Sequence, residues 1–143
     1  MFYGTYQHTI DPKGRVIIPA AFRDDGKLRL MITKAPDECL FIFSMEQWEK
    51  MCAKLDALLV SDSDAQDFSR WFYSSASLCE LDKNSRILVP PELRAYAGLE
   101  KDITIIGVGS KAEVWNRTNL ESYMKQETFA RRNIKDMMKK LGI

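Results

Sequence analysis

Residues 11–19 read Asp-Pro-Lys-Gly-Arg-Val-Ile-Ile-Pro, and residues 82–90 read Asp-Lys-Asn-Ser-Arg-Ile-Leu-Val-Pro. Asp11, Arg15 and Pro19 fall on Asp82, Arg86 and Pro90, 71 residues apart in each case. The agreement continues outward: Ile10 meets Leu81, Phe22 meets Leu93, and Arg23 meets Arg94. Self-similarity at one fixed offset marks two copies of a single supersecondary unit. Any function built on that unit draws on both copies.

Each motif is preceded by a short alternating run. Tyr6, His8 and Ile10 share one face of the first, and Ser77, Cys79 and Leu81 share the matching face of the second. Period-two alternation predicts half-buried strands. After each Arg come aliphatic residues, Val16-Ile17-Ile18 and Ile87-Leu88-Val89, and then a proline that ends the strand. Turn formers, Pro12-Lys13-Gly14 or Lys83-Asn84-Ser85, lie between. Each unit is therefore strand, tight polar turn, strand. A short helical turn is expected after each proline, which suits a first helical position.

A second strand pair is expected in each copy, at residues 28–33 and 39–43, then 103–106 and 113–115. Phe43 and Trp115 stand 72 apart, a one-residue slip placed in the second hairpin's turn. Trp48, Met51, Cys52, Leu55, Leu58 and Leu59 follow the spacing of an amphipathic helix. Residues 64–73 predict a linking helix that buries Phe68, Trp71 and Phe72, with the break and N-cap in residues 61–64. Leu120, Tyr123 and Met124 start another helix, and Met137, Met138 and Leu141 a last one. The organisation read this way is a first repeat at 4–48, linking helices at 49–75, a second repeat at 76–120 and a basic helical tail at 121–143.

At 143 residues the chain fits one domain made of two half-units, each too small for a good core alone. That favours intertwining or oligomers. No apolar stretch has the length of a membrane span, and the start of the chain lacks a charged-then-apolar leader pattern. Cys39, Cys52 and Cys79 are scattered, odd in number and on apolar faces, which reads as core thiols in a reducing cytosol. Net charge is only +1. Residues 1–75 carry 9 basic and 11 acidic side chains, and residues 76–143 carry 12 and 9, so the second half is the basic one. By itself a basic tail reads as a solvated helix face.

An Asp opening a tight turn can accept backbone N–H bonds and fix the loop. The Arg four residues on presents a planar fork of donors that fits a carboxylate, a phosphate, or O6 and N7 of guanine. Lys13 and Lys83 can reach phosphates. The plainer reading is an exposed Asp–Arg pair worth about 0–1 kcal/mol. Repetition of the whole strand-turn-strand frame favours the binding reading over it.

These residues carry a resemblance. Asp11-x-x-x-Arg15 with Val-Ile-Ile-Pro19, and Asp82-x-x-x-Arg86 with Ile-Leu-Val-Pro90-Pro-Glu-Leu-Arg-Ala-Tyr-Ala-Gly98-Leu, resemble the MraZ family of bacterial transcriptional regulators. Gly4-Thr5-Tyr6 and Glu113-Val-Trp115 add to it, over roughly residues 1–125. That family is a tandem branch of the AbrB-like swapped-hairpin DNA-binding proteins, associated with the division and cell wall gene cluster. The resemblance implies an α+β fold of tandem swapped-hairpin units forming one double-barrel-like domain with flanking helices. It implies a homo-oligomeric ring in the cytoplasm, associated with the nucleoid. Its partner would be double-stranded DNA, bound at short direct repeats upstream of its own operon. Arg15 and Arg86 carry over as base or phosphate contacts, with Lys13 and Lys83 on the same edge. Asp11, Asp82 and Gly14 carry over as turn-shaping residues. Two positions depart from the usual family text: Leu120 replaces a common tryptophan, and Asn84-Ser85 replaces small or glycine-containing residues.

Other signals are weaker. His8, the only histidine, faces inward and reads as packed. No metal-ligand spacing and no cofactor motif are present; Gly107-Val-Gly109-Ser is a hairpin turn. A Cys–His nucleophile pair using Cys39 or Cys52 has nothing to orient it. Three functional classes stay open on the residues: a DNA-binding regulator, a protein-interaction module of scaffold or antitoxin-like type, and a small hydrolase or transferase. A basic fork at both turns favours the first, and the missing catalytic cluster disfavours the last.

Overall fold

The computed structural model describes residues 1–23, 29–125 and 134–143. The first repeat runs β1 (Thr5–Thr9), β2 (Arg15–Ile17), a 3-10 turn (Ala20–Phe22), β3 (Arg29–Ala35), β4 (Cys39–Ser44) and α1 (Met45–Asp56). Helix α2 (Ser63–Ser74) links it to the second repeat. There β5 (Ser77–Glu80), β6 (Arg86–Leu88), α3 (Pro91–Ala97), β7 (Asp102–Gly107), β8 (Ala112–Asn116) and α4 (Arg117–Lys125) follow in matching order. Helix α5 (Ile134–Leu141) closes the chain. The fold is α+β, and both halves have the strand-turn-strand start that the alternating runs predict.

The repeats are not side by side but exchanged. One sheet has the order β1-β7-β8-β4-β3-β5, antiparallel throughout, so each repeat's first strand pairs with the other repeat's hairpin. A second, two-stranded sheet joins β2 to β6. The register defines a pseudo-twofold axis. Leu40 pairs with Val114 and Ile42 with Ala112, so Phe41 and Glu113 sit opposite each other at the centre. Those pairs are symmetric at an offset of 72, as expected from Phe43 and Trp115. Strands β3 and β7 instead correspond at 73, since Leu30 pairs with Ser44 and Ile103 with Asn116. The second repeat therefore has two extra residues before β7 and one fewer in its hairpin turn, so the one-residue slip does not lie in that turn as expected but is the net of these two changes.

Side-chain alternation explains the layers. Leu30, Ile32, Leu40, Ile42, Ile103, Ile105, Ala112 and Val114 face one way, onto Val16, Ile18, Ile87 and Val89 of the two-stranded ribbon. The opposite face carries Phe43, Leu55 and Phe72 in one cluster and Ala35, Cys39, Trp115 and Leu120 in another, under α1, α2 and α4. Strands β3, β4, β7 and β8 are thus covered on both sides, which is why they read as nearly continuous apolar runs. The edge strands β1 and β5 alternate, with Tyr6, His8, Cys79 and Leu81 more buried than their neighbours.

Helix α2 starts where the sequence predicts, with the Asp62 carboxylate accepting from Ala65 N at 3.1 Å. Phe72 is fully buried, whereas Phe68 and Trp71 are half-buried beside it. A polar bolt seats this helix: Thr33 Oγ1, itself buried, donates to Phe72 O at 2.8 Å. A second expectation fails. Helix α1 ends at Asp56, so Leu58 and Leu59 do not extend its apolar stripe but are exposed in the following loop. There Leu58 N donates to Leu55 O, a tighter bond that ends the helix and turns the chain toward Asp62. Residues 126–133 of the predicted basic tail lie outside the described residues, and α5 buries no residue. Among the described residues no helix is long and apolar enough to cross a membrane.

Because, among the described residues, β1 and β5 find their strand partners only in the opposite half, neither half carries its whole share of the sheet by itself. Residues 1–75 expressed alone should not fold as a monomer; size-exclusion chromatography and circular dichroism should show either an unfolded chain or a dimer that rebuilds the exchange. A monomer that melts cooperatively would contradict this architecture.

Candidate nucleic-acid interface

The two Asp-x-x-x-Arg loops close in the same way. Asp11 N donates to Arg15 O at 3.0 Å and Gly14 N to Asp11 O at 2.9 Å; Asp82 N donates to Arg86 O and Ser85 N to Asp82 O, both at 2.9 Å. Inside each loop the carboxylate gathers the amides. Asp11 Oδ1 accepts from Lys13 N and Arg15 N, each at 2.9 Å, and Asp82 Oδ1 from Asn84 N at 2.8 Å and Arg86 N at 2.9 Å. The other oxygen takes the arginine: Arg15 Nε at 2.6 Å on Asp11, and Arg86 Nε at 2.9 Å on Asp82. A short side chain is required to reach its own loop's amides, which selects Asp.

The Asp–Arg pair leaves the fork usable. Each carboxylate holds Nε, so the two Nη groups remain the forward end of the guanidinium. The loop therefore fixes the arginine's direction through its Nε–H donor. The Arg15 backbone N–H, ahead of that residue's guanidinium, holds the Asp11 carboxyl below the ordinary aspartate value. The Arg86 backbone N–H does the same for Asp82.

Backbone conformation separates the loops slightly. Gly14 sits at φ +88°, and its counterpart Ser85 adopts the left-handed region at φ +61°. That conformation costs a non-glycine residue roughly 1–2 kcal/mol. Asn84-Ser85 thus reproduces the first loop's geometry at some strain, and the Asp-to-backbone and Asp-to-Arg bonds are the same in both.

Both arginines stand on the ribbon. Val16 pairs with Ile87 at its middle, flanked by Arg15 with Leu88 and Ile17 with Arg86. The exchange extends past the strands, as Ile18 N donates to Ser85 O and Val89 N to Gly14 O, both at 2.9 Å. Val16 and Ile87 point into the core at 1% exposure. By alternation Arg15, Ile17, Arg86 and Leu88 share the outer face, where Ile17 and Leu88 are 46% and 58% exposed. Arg15 and Arg86 are diagonal neighbours, about 7–8 Å apart by sheet geometry. Lys13 and Lys83 are exposed at the loop tips, at non-equivalent positions.

Sequence reading missed Ile17 and Leu88, although their spacing from Arg15 and Arg86 puts them on the same face. It also missed Arg23 and Arg94, whose matching offset is visible. Arg94 lies with its guanidinium against Gly14, where a Cβ would come within 2.6 Å of Cζ, and Arg23 Nη1 donates to Ser85 Oγ. Each reaches the loop of the opposite repeat. His8 is half-buried on β1, and its carbonyl accepts from Arg117 Nη2 at 3.2 Å. Burial pushes the Cys39 thiol well up, and it donates to Pro36 O at 3.3 Å. Among the described residues no three His, Cys, Asp or Glu side chains form a metal-holding group.

Fold and site together define a two-repeat, strand-exchanged hairpin protein that presents a paired-arginine ribbon. A family model described as "MraZ protein, putative antitoxin-like" matches residues 1–71 and again 72–141. The chain is 48% identical over 143 residues to the transcriptional regulator MraZ of Acetivibrio thermocellus, covering 100% of both chains. It is 46% identical over 126 residues to that of Moorella thermoacetica, covering 88% of each. It is 43% identical over 143 residues to that of Thermoanaerobacter pseudethanolicus, covering 100% of both. The chain belongs to the MraZ family.

The lowered carboxyls give a signed pH dependence. A group whose pKa falls on folding stabilises the folded loop above its unfolded value, about 3.9 for Asp, and loses that as pH drops through the folded value. Carbon-detected NMR titration should place the Asp11 and Asp82 midpoints below about 3.9. Midpoints at or above it would mean the carboxylates do not hold these loops.

Proposed function

We propose that this chain is a sequence-specific DNA-binding transcriptional regulator that reads double-stranded DNA with the β2–β6 ribbon and its two loops. The observation that carries the reading is the pair of Asp-held guanidinium forks on one exposed ribbon face. Membership of a family whose relatives are named transcriptional regulators supports it.

The major groove admits a two-stranded β-ribbon. Arg15 and Arg86, held by Asp11 and Asp82, are the candidates for guanine O6 and N7 or for phosphate. Their backbones stand about 7–8 Å apart by sheet geometry, and each guanidinium is held by the carboxylate of its own loop. Ile17 and Leu88 lie between them, where apolar side chains contact thymine methyl groups. Lys13 and Lys83 reach toward the flanking phosphates, and Gly14 keeps the first loop tight.

Net charge of +1 is small for a DNA binder. A homo-oligomeric ring would compensate by presenting many such ribbons at high effective concentration. Regular spacing of subunits would be matched by short direct repeats in the operator, as paired modules match paired half-sites. Placement of those repeats upstream of the protein's own operon, and a cytoplasmic, nucleoid-associated location, complete the reading.

Fluorescence anisotropy on duplex DNA from immediately upstream of the gene, against a shuffled duplex at two salt concentrations, tests it directly. Tight binding that prefers the upstream duplex and weakens steeply with salt is expected. Arg15→Ala should lose about 1–3 kcal/mol per specific contact and relax base preference. Equal, weak binding of wild type to both duplexes would sink the reading and move the function toward protein assembly.

A further inference from the structure

The helical layer leaves an opening over the middle of the sheet. Helices α1 and α2 pack with Phe43 on one side, and α4 sets Leu120 against Ala35, Cys39 and Trp115 on the other. Phe41, on the dyad, touches both clusters and is only half-buried. Beside it lies a cavity of about 400 Å³ lined by Phe41, Phe43 and Met51. Small-molecule sites commonly span about 300–1,000 Å³. Lys50, Lys54 and Lys111 also line it, and among the described residues no carboxylate does. Lys111 Nζ stands 5.1 Å over the Phe41 ring. Lys50 meets Glu46 at 3.3 Å in an exposed pair, whereas no carboxylate among the described residues pairs with Lys54 or Lys111. Glu113, opposite Phe41 in the sheet, accepts from Trp115 Nε1 at 3.1 Å instead.

The dyad supplies an internal comparison. Seventy-two residues on, Phe43, Gln47, Lys50 and Met51 fall on Trp115, Asn119, Ser122 and Tyr123. Those four line a second cleft together with Asp37 and Glu38. There Tyr123 packs on Trp115 with ring centroids 5.3 Å apart, and the volume is about 200 Å³. The β3–β4 turn gives that cleft two carboxylates where the β7–β8 turn gives the first one Lys111. One frame therefore narrows and acidifies one place while its twin stays open, apolar and cationic. Core packing does not require the opening, since the second repeat does without it.

We propose that the first cleft binds a small organic anion. Its aryl or acyl body lies on Phe41, Phe43 and Met51, and its carboxylate or phosphate sits among Lys50, Lys54 and Lys111. Apolar walls supply the contact area in such sites, and a few convergent polar groups fix orientation. Ammonium groups act as point charges and take either head group. The cleft lies on the sheet face away from the β2–β6 ribbon, so the inference goes beyond the DNA-binding reading without resting on it.

The test is a fluorescence titration of the full chain with anilinonaphthalene sulfonate, an apolar aryl anion, followed by displacement. One probe per chain is expected, displaced by decanoate or decyl phosphate and not by decyltrimethylammonium. The stronger of the two anions identifies the head group. Lys54→Gln and Lys111→Gln should each weaken binding about fivefold, the upper size of an exposed ion pair. Ala53→Trp, on the exposed rim, should fill the opening and abolish binding, while Ser122→Trp in the twin cleft should leave it unchanged. If Ala53→Trp does not fold, the two glutamine variants decide. Binding that ignores both glutamine changes, survives Ala53→Trp or falls with Ser122→Trp would overturn the proposal, as would equal displacement by the cationic amphiphile. Sedimentation velocity addresses the other occupant. No probe binding by wild type, with an assembly size that shifts in Ala53→Trp, would overturn the proposal and make the cleft a contact between copies.

Discussion

The candidate interface depends on the pairing of β2 with β6 across the pseudo-twofold axis. Val16 and Ile87 meet at its centre with their side chains in the core, and that register fixes which residues face outward. A slip of one residue would turn Arg15 and Arg86 inward and expose the aliphatics. The flanking bonds from Ile18 to Ser85 and from Val89 to Gly14 tie each strand's end to the opposite loop. Loop shape and core packing are therefore not separate properties. The same exchange that closes the core positions the arginines.

Exchange also answers how two units of about 45 residues form a stable domain. Each is too small to bury enough surface by itself. By lending β1 and β5 to opposite ends, the repeats build one six-stranded sheet covered on both faces over its four central strands. Helix α2 then packs on β3 and β4 through Phe72, and Thr33 and Ser75 bond to each other there in a buried polar pair. Such a pair is tolerated because each hydroxyl has a partner.

Much of the frame is legible in the residues alone. Alternation in residues 6–10 and 77–81 locates the edge strands, Asp62 locates the N-cap, and the 72-residue offset of Phe43 and Trp115 locates the dyad. The exchange is only partly legible that way: the small size of each half-unit favours intertwining or oligomers, but β1 would satisfy the same backbone groups in its own repeat, and it is the family resemblance that implies swapped hairpins. The α1 stripe misleads for a physical reason: apolar spacing continues into Leu58 and Leu59, but the chain has to leave the helix to reach α2. Arg15 and Arg86 are legible because a local motif carries them. Arg23 and Arg94 are visible as a matched pair, but their contacts are not, because each reaches a loop about 60–80 residues away and no local pattern reports so distant a contact.

Duplication within one chain gives this ribbon a freedom that a symmetric dimer lacks. In a dimer of identical units every change at one loop is repeated at the other. Here the loops have diverged: Gly14 admits the Arg94 guanidinium directly against its backbone, whereas Ser85 holds Arg23 through a hydroxyl and carries a strained φ. Lys13 and Lys83 likewise sit at unequal places on the two tips. Yet the carboxylate network that aims Arg15 and Arg86 is the same in both. Aim has been kept equal while surroundings have changed. On the proposed DNA-binding reading, one ribbon with unequal surroundings suits two half-sites of different sequence, and the operator need not be a palindrome.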